Sequence, residues 1–139
     1  MISIIDRTHF IILNELLRPF GISAGQFPFF ISLIKKQNVM QETLARHFHI
    51  DKGAVARAVN KLVDAGYVQR IPDPNNRRAV RLFLTEKGIE ISPKIEKIEQ
   101  EWEEKMYSCI PQKDRLQFYS LMQTMTYSCL QTLEKTEGT

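Results

Sequence analysis

Lys52, Gly53, Ala54, Ala56, Arg57, Asn60 and Lys61 fall within ten consecutive positions. At 3.6 residues per turn, Val55, Val59 and Leu62 form one apolar stripe, which leaves Lys52, Ala56, Arg57, Asn60 and Lys61 pointing outward. The chemistry available to such a face is that of anions and base edges. Lysine and arginine hold phosphate oxygens, and a guanidinium fork matches the two acceptors of guanine. Small residues at the start of a helix let another backbone come close, although glycine weakens the helix there. On a helix lying in a major groove, Lys52, Gly53, Ala54, Ala56 and Arg57 come closest to the bases, with Asn60 and Lys61 nearer the backbone. A second pair, Arg77 and Arg78, follows a run of turn residues; a guanidinium at such a tip suits a narrow minor groove. An ordinary surface helix and a solubilising turn account equally well for each feature alone. Their occurrence together favours duplex DNA.

The charge distribution agrees. Between Asp51 and Arg81 seven bases face three acids, a local net of +4, so the remainder of a chain with net charge +3 carries −1. A basic block in an otherwise balanced protein is the footprint of a phosphate-facing surface, and a solvated basic face is the other reading of the charge alone.

The elements that must position these residues are legible as pattern. Residues 3 to 17 carry apolar side chains around most of the helical circumference, so that helix needs cover on several sides. Arg18-Pro19-Phe20-Gly21 breaks it. Ser23-x-x-Gln26 reads as a capping box that starts a second helix running to about Lys36. A short third helix spans Gln41 to Phe48. Asp51 is the expected N-cap of a fourth, ending at Gly66 as a left-handed stop. Short helix, tight turn and longer helix with a basic outer face form the helix-turn-helix pattern. Tyr67 to Ile71 and Val80 to Leu84 read as strands, and residues 72 to 78 as a turn with a basic tip. Thr85 caps a fifth helix in which Ile91, Ile95, Ile98, Trp102, Met106 and Cys109 form a seam of coiled-coil spacing. Pro111 interrupts, and a last helix carries Phe118, Leu121, Met122, Met125, Cys129 and Leu133.

Several functions are disfavoured. The sequence has no glycine-rich phosphate loop, Ser-x-x-Lys, G-x-S-x-G or paired carboxylates in a plausible cleft, so no enzyme is expected. Cys109, Cys129, His9, His47 and His49 lack metal-ligand spacing, so no metal or cofactor is expected, and the two thiols read as reduced and buried. Polar residues interrupt the apolar N-terminus, which argues against a signal peptide or membrane span and for a cytoplasmic location.

Leu44-Ala45, Gly66-Tyr67-Val68-Gln69-Arg70, Asp73-Pro74-Asn75-Asn76-Arg77-Arg78-Ala79 and Leu82-Phe83-Leu84-Thr85-Glu86-Lys87-Gly88 together resemble the MarR family of prokaryotic transcription regulators. The likeness in layout covers nearly the whole chain. It implies an obligate dimer with interlocking terminal helices, a winged helix-turn-helix in each subunit and, often, a small phenolic or aromatic acid that releases DNA. The family's wing reads Asp-Pro-x-Asp-Arg-Arg; here Asn76 replaces the second aspartate, removing a carboxylate that could orient an arginine. The fourth helix has Gly53, Ala54 and Ala56 where serines and threonines are usual, so direct readout through hydroxyls is sparse. The first helix lacks the reactive cysteine of peroxide-sensing members.

The expected fold is mainly α with a small β-hairpin wing: a winged helix-turn-helix plus a helical dimerisation region. Residues 1–37 are read as supporting and dimerisation helices, 38–85 as the DNA-binding region, and 86–139 as dimerisation helices. The expected function is sequence-specific transcription regulation, more in the sense of repression, by a homodimer on a roughly palindromic double-stranded site. His9, Arg18, Phe27 and Arg78 are candidate edges of a pocket for a small aromatic acid. The alternative is a winged-helix protein-protein interaction module, since a fold does not fix a function.

Overall fold

The computed structural model describes residues 1–138. In chain order the elements are α1 (Ile2–Leu17), a 3-10 turn (Arg18–Phe20), α2 (Phe27–Lys35), β1 (Val39–Met40), α3 (Gln41–Phe48), α4 (Lys52–Asp64), β2 (Val68–Asp73), β3 (Asn76–Leu84), α5 (Glu86–Tyr107) and α6 (Gln112–Glu137). Two compact units divide the chain, Met1–Ile98 and a second starting at Glu99, with α5 running from one into the other.

The core of the first unit is aliphatic and aromatic. Leu13 and Leu17 of α1, Phe30 and Leu33 of α2, Leu44 of α3, and Val55, Val59 and Leu62 of α4 are buried with Leu82 of β3 and Ile95 of α5. Each such side chain contributes about 1.5–3 kcal/mol on leaving water, so the stripe at 55, 59 and 62 fixes which face of α4 turns outward. Gly88 explains how closely α5 begins against this core: a Cβ there would lie 2.2 Å from the Tyr67 carbonyl oxygen.

Of the side-chain caps and the glycine stop expected at helix ends, all but one form. The Asp51 carboxylate accepts from the Ala54 N–H at 3.2 Å, and Gly66 takes φ +84° just past α4. The Thr85 hydroxyl accepts from the Gly88 N–H at 3.1 Å and so caps α5. At Ser23 the expected capping box is only half made. The Gln26 side-chain oxygen accepts from the Ser23 N–H at 2.8 Å, but the Ser23 hydroxyl donates to that same oxygen instead of accepting from backbone. Residues 24–26 form a turn, and the helix starts at Phe27, with Pro28 in its first turn where a missing N–H costs nothing.

The sheet is antiparallel, in the order β1-β3-β2. The two-residue β1, pairing Val39 with Leu82, is too short to leave a periodic signal in the sequence. The hairpin differs from expectation at its end. The strands extend to Asp73 and Asn76, leaving a turn of only Pro74 and Asn75. Pairing passes from Pro72↔Val80 to Asp73↔Asn76, so Arg77, Arg78 and Ala79 form a bulge on β3. The arginines therefore stand on a bulged strand and not on a loop tip, and a bulge bends the strand and re-aims its side chains.

In the second unit, the Tyr107 and Phe118 rings meet edge to face at 6.0 Å, and Arg115 pairs with Glu104 at 3.2 Å. Cys109 lies beyond the end of α5, outside the seam assigned to that helix, and both Cys109 and Cys129 are exposed, not buried. None of α6's side chains is buried within the chain, and on α1 only Leu13 and Leu17 are.

Candidate nucleic-acid interface

The junction of α3 and α4 is tight. His49 takes a left-handed conformation, φ +52°, and the Ile50 N–H reaches back to the Ala45 carbonyl at 3.1 Å. Asp51 then starts α4 on a new axis. Lys52, Arg57, Asn60 and Lys61 are exposed on α4, while Gly53, Ala54 and Ala56 are half-buried.

Arg57 and Lys61 have no ion-pair partner among the described residues. Lys52 lies 3.4 Å from Glu42, both ends well exposed. Such a surface pair is worth at most about 1 kcal/mol and exchanges readily for a phosphate. Gly53 has a specific use. A Cβ built there would come within 3.3 Å of Arg57 Nη1 and 3.0 Å of Asp51 Oδ2. The Arg57 guanidinium thus lies back over the first turn, the end of a groove-bound helix that meets bases.

Asp73, the last residue of β2, ties the turn end of the wing back toward β1. Asp73 Oδ1 accepts from the Asn75 N–H at 3.1 Å, which shapes the turn. Its other oxygen lies 3.6 Å from Arg81 Nη2, and Arg81 Nη1 donates to Asn38 Oδ1 at 3.2 Å. Asp73 is 7% exposed, so this pair is shielded from solvent on the acid's side. Asn76 Oδ1 accepts from the Arg78 N–H at 3.2 Å. An amide oxygen makes that backbone bond as a carboxylate does, and the carboxylate that faces an arginine is Asp73. Arg77 and Arg78 are both exposed.

One residue that ties the candidate interface together was missed by sequence reasoning. Arg70 of β2 donates from Nε to Gln41 Oε1 at 3.0 Å, from Nη2 to the Ala56 carbonyl at 3.0 Å, and from Nη1 to Asn60 Oδ1. It ties the wing strand to both helices of the helix-turn-helix. Its place in the basic block gave no hint of this, because spacing along β2 says nothing about which helix a side chain crosses.

The four candidate pocket residues are placed differently from one another. Arg18, bonded to Glu15, lines an open surface depression of about 700 Å³ with Asn14, Ser23, Gln26 and Lys61. His9 is half-buried on α1, Phe27 is in the core, and Arg78 stands on the wing. Lys61 belongs to this depression as well as to the exposed side of α4. Among the described residues no group of three or more His, Cys, Asp or Glu side chains is arranged to hold a metal ion, and no helix is long and apolar enough to cross a membrane.

A helix-turn-helix followed by a two-stranded wing, with cations on the outer helix face and on the wing, defines a winged helix-turn-helix protein. Comparison with known proteins gives the family. Residues 22–80 match the MarR family model. The regulator BilQ of Clostridium symbiosum, an HTH-type transcriptional regulator, is 32% identical over 105 residues, 76% of this chain and 73% of its own. A MarR transcriptional regulator from Methanosarcina mazei superimposes with TM-score 0.85 at 39% identity, covering 94% of each chain. A mutant MarR from Escherichia coli, complexed with operator DNA, superimposes with TM-score 0.80 at 26% identity, covering 89% of each chain. The chain belongs to the MarR family of transcriptional regulators.

Proposed function

We propose that the protein is a homodimeric, sequence-specific repressor that places α4 in the major groove and the β3 bulge at the minor groove of a roughly palindromic operator. The observation that carries this reading is the outer side of α4 with its wing: exposed Lys52, Arg57, Lys61, Arg77 and Arg78, with Arg57 and Lys61 held by no acid among the described residues. Unpaired cations on one helix and one hairpin are what phosphates and groove edges need. The operator-bound MarR among the similar structures supports duplex DNA as the partner. Lys52, Gly53, Ala54, Ala56 and Arg57 face the bases; Asn60 and Lys61 face the backbone.

Dimerisation follows from exposed apolar surface that a monomer in water does not tolerate. On α1 these side chains include Ile2, Ile4, Ile5 and Ile11, and on α6 Leu116, Leu121, Met125 and Leu133. Half-sites about one helical turn apart, roughly 34–36 Å, suit a two-fold dimer.

The effector in this reading is a small aromatic acid. Arg18 supplies a cation at an open surface depression that also borders Lys61 of α4, so occupancy there bears on the recognition helix. His9, Phe27 and Arg78 are the further candidate edges of the effector pocket.

Fluorescence anisotropy with a duplex selected from a random library for tightest binding and a scrambled counterpart, titrated with salt and with a panel of aromatic acids, tests both parts. Expected are tighter binding to the selected duplex, affinity that falls steeply with salt, and release by an acid of the panel. Binding to no duplex would leave the protein-interaction module as the reading. Affinity indifferent to the whole panel would remove the effector.

A further inference from the structure

Asn60 is exposed on α4, yet its amide is not free to turn. A guanidinium only donates, so the amide atom facing Arg70 is the oxygen. The NH2 group is thereby directed away from the cation. Arg70 is itself held on two other sides, by Gln41 of α3 and by the Ala56 carbonyl, each at 3.0 Å, and its three acceptors are all neutral. The guanidinium fork is planar, so three bonds to two helices define its orientation and, through it, the rotamer of Asn60.

This has a chemical consequence. A free asparagine reads adenine by pairing oxygen and NH2 with the base's amino group and N7. The oxygen keeps a second lone pair, but the guanidinium bound to it repels the adenine amino hydrogens that would have to approach there. What remains is a pair of N–H donors. Resting on the DNA-binding reading above, we propose that Arg70 is a positioning residue that fixes Asn60 as a donor to a phosphate oxygen, so that this position contributes affinity without reading sequence.

The test is a double-mutant cycle on the full-length chain, Asn60→Ala, Arg70→Lys and the two together, by anisotropy on the preferred and scrambled duplexes. Asn60→Ala should weaken both duplexes equally, by roughly tenfold for one hydrogen bond to a charged oxygen. Arg70→Lys keeps the charge but not the fork and should lose a similar factor. The double variant should lose no more than Arg70→Lys alone, because an unpositioned amide has nothing left to contribute. Additive losses, or a loss by Asn60→Ala on the preferred duplex only, would overturn the proposal. Asn60→Asp separates positioning from folding. Its bond to Arg70 becomes an ion pair, so Tm should hold or rise, while a carboxylate oxygen facing phosphate should lower affinity at least as far as Asn60→Ala. A fall in Tm for Asn60→Asp would show that Arg70 does not hold this side chain. Without DNA, the Arg70 Nε–H should exchange slowly with solvent by NMR, and exchange as fast as that of an exposed arginine would also overturn it. Wild-type binding to no duplex, with the slow Nε–H intact, sinks the DNA-binding reading and takes the phosphate role with it.

Discussion

Arg57, Arg77 and Lys61 are all exposed cations, and the structure gives each a different neighbourhood. Arg57 lies back over the first turn because Gly53 leaves the room. If it pairs with guanine, Arg57→Ala costs about 1–3 kcal/mol on the preferred operator and much less elsewhere. Arg77, on the bulge, acts through charge and groove shape, so Arg77→Ala should weaken all duplexes and flatten the salt dependence by about 0.9 per lost phosphate contact. Lys61→Ala should lower affinity without altering preference. Equal losses for all three on every sequence would deny Arg57 a base. Gly53→Ala probes the same geometry from the other side. Helix propensity favours alanine by up to about 1 kcal/mol, but the crowded Asp51 Oδ2 is also the oxygen that caps α4, and displacing it costs a similar amount. Tm should therefore change little or fall slightly while preference for the operator falls, since Arg57 is displaced. Preference retained at full strength would show that the close approach at Gly53 has no part in recognition.

At the scale of elements, what could be read from the sequence was what local chemistry decides. Asp51 and Gly66 delimit α4 because a carboxylate beside free N–H groups and a residue with no Cβ act within one turn of chain. The apolar stripe of Val55, Val59 and Leu62 was legible for the same reason, and all three are buried. The wing was legible only in part. That Arg77 to Ala79 bulge from β3 depends on pairing across the hairpin and on Asp73 reaching Arg81, and neither is set by neighbours in sequence. Arg70 was invisible as a site because its partners lie 10 to 29 residues away. The junction between the wing and α5 offers a test of its own. Tyr67 donates to the Phe20 carbonyl at 2.5 Å, and burial pushes its hydroxyl above the usual value of 10.0. A raised folded value means the neutral form is favoured in the native state. Its contribution to stability is complete below about pH 10 and is lost as pH rises through the folded value. Urea titrations between pH 8 and about 11 should show a decline that Tyr67→Phe flattens, at the cost of about 0.5–1.5 kcal/mol at neutral pH for the lost hydrogen bond. An unchanged alkaline decline in Tyr67→Phe would assign it to other groups.

At the scale of the whole molecule, the unresolved balance is apolar surface. In the sequence α1 carries apolar residues around most of its circumference, which predicts cover on several sides. Within one chain Ile2, Ile4 and Ile5 are more than 60% exposed, and Leu116 of α6 is 79% exposed. A helix of 26 residues with no buried side chain has no reason to persist in water from packing within its own chain. Cys129 of α6, expected to be buried, is exposed in the single chain, where a second copy covering α6 would enclose it. A second copy of the chain also supplies the two-fold axis that a palindromic site requires. Light scattering at micromolar concentration should therefore give twice the mass of the 16.2 kDa chain. Leu121→Glu and Met125→Glu, both on side chains already exposed in the single chain, should leave Met1–Ile98 folded, as read by amide hydrogen exchange of its core helices, while shifting the mass toward the monomer. Trp102→Asp, on the α5 seam, should weaken the dimer or unfold the chain, because a charge replaces a large half-buried side chain. Operator affinity should fall with dimer content in each variant, since one half-site alone forfeits the second set of contacts. A wild-type chain that runs as a monomer at micromolar concentration while binding a palindrome at full strength would detach the terminal helices from assembly, and their apolar faces would then need another partner.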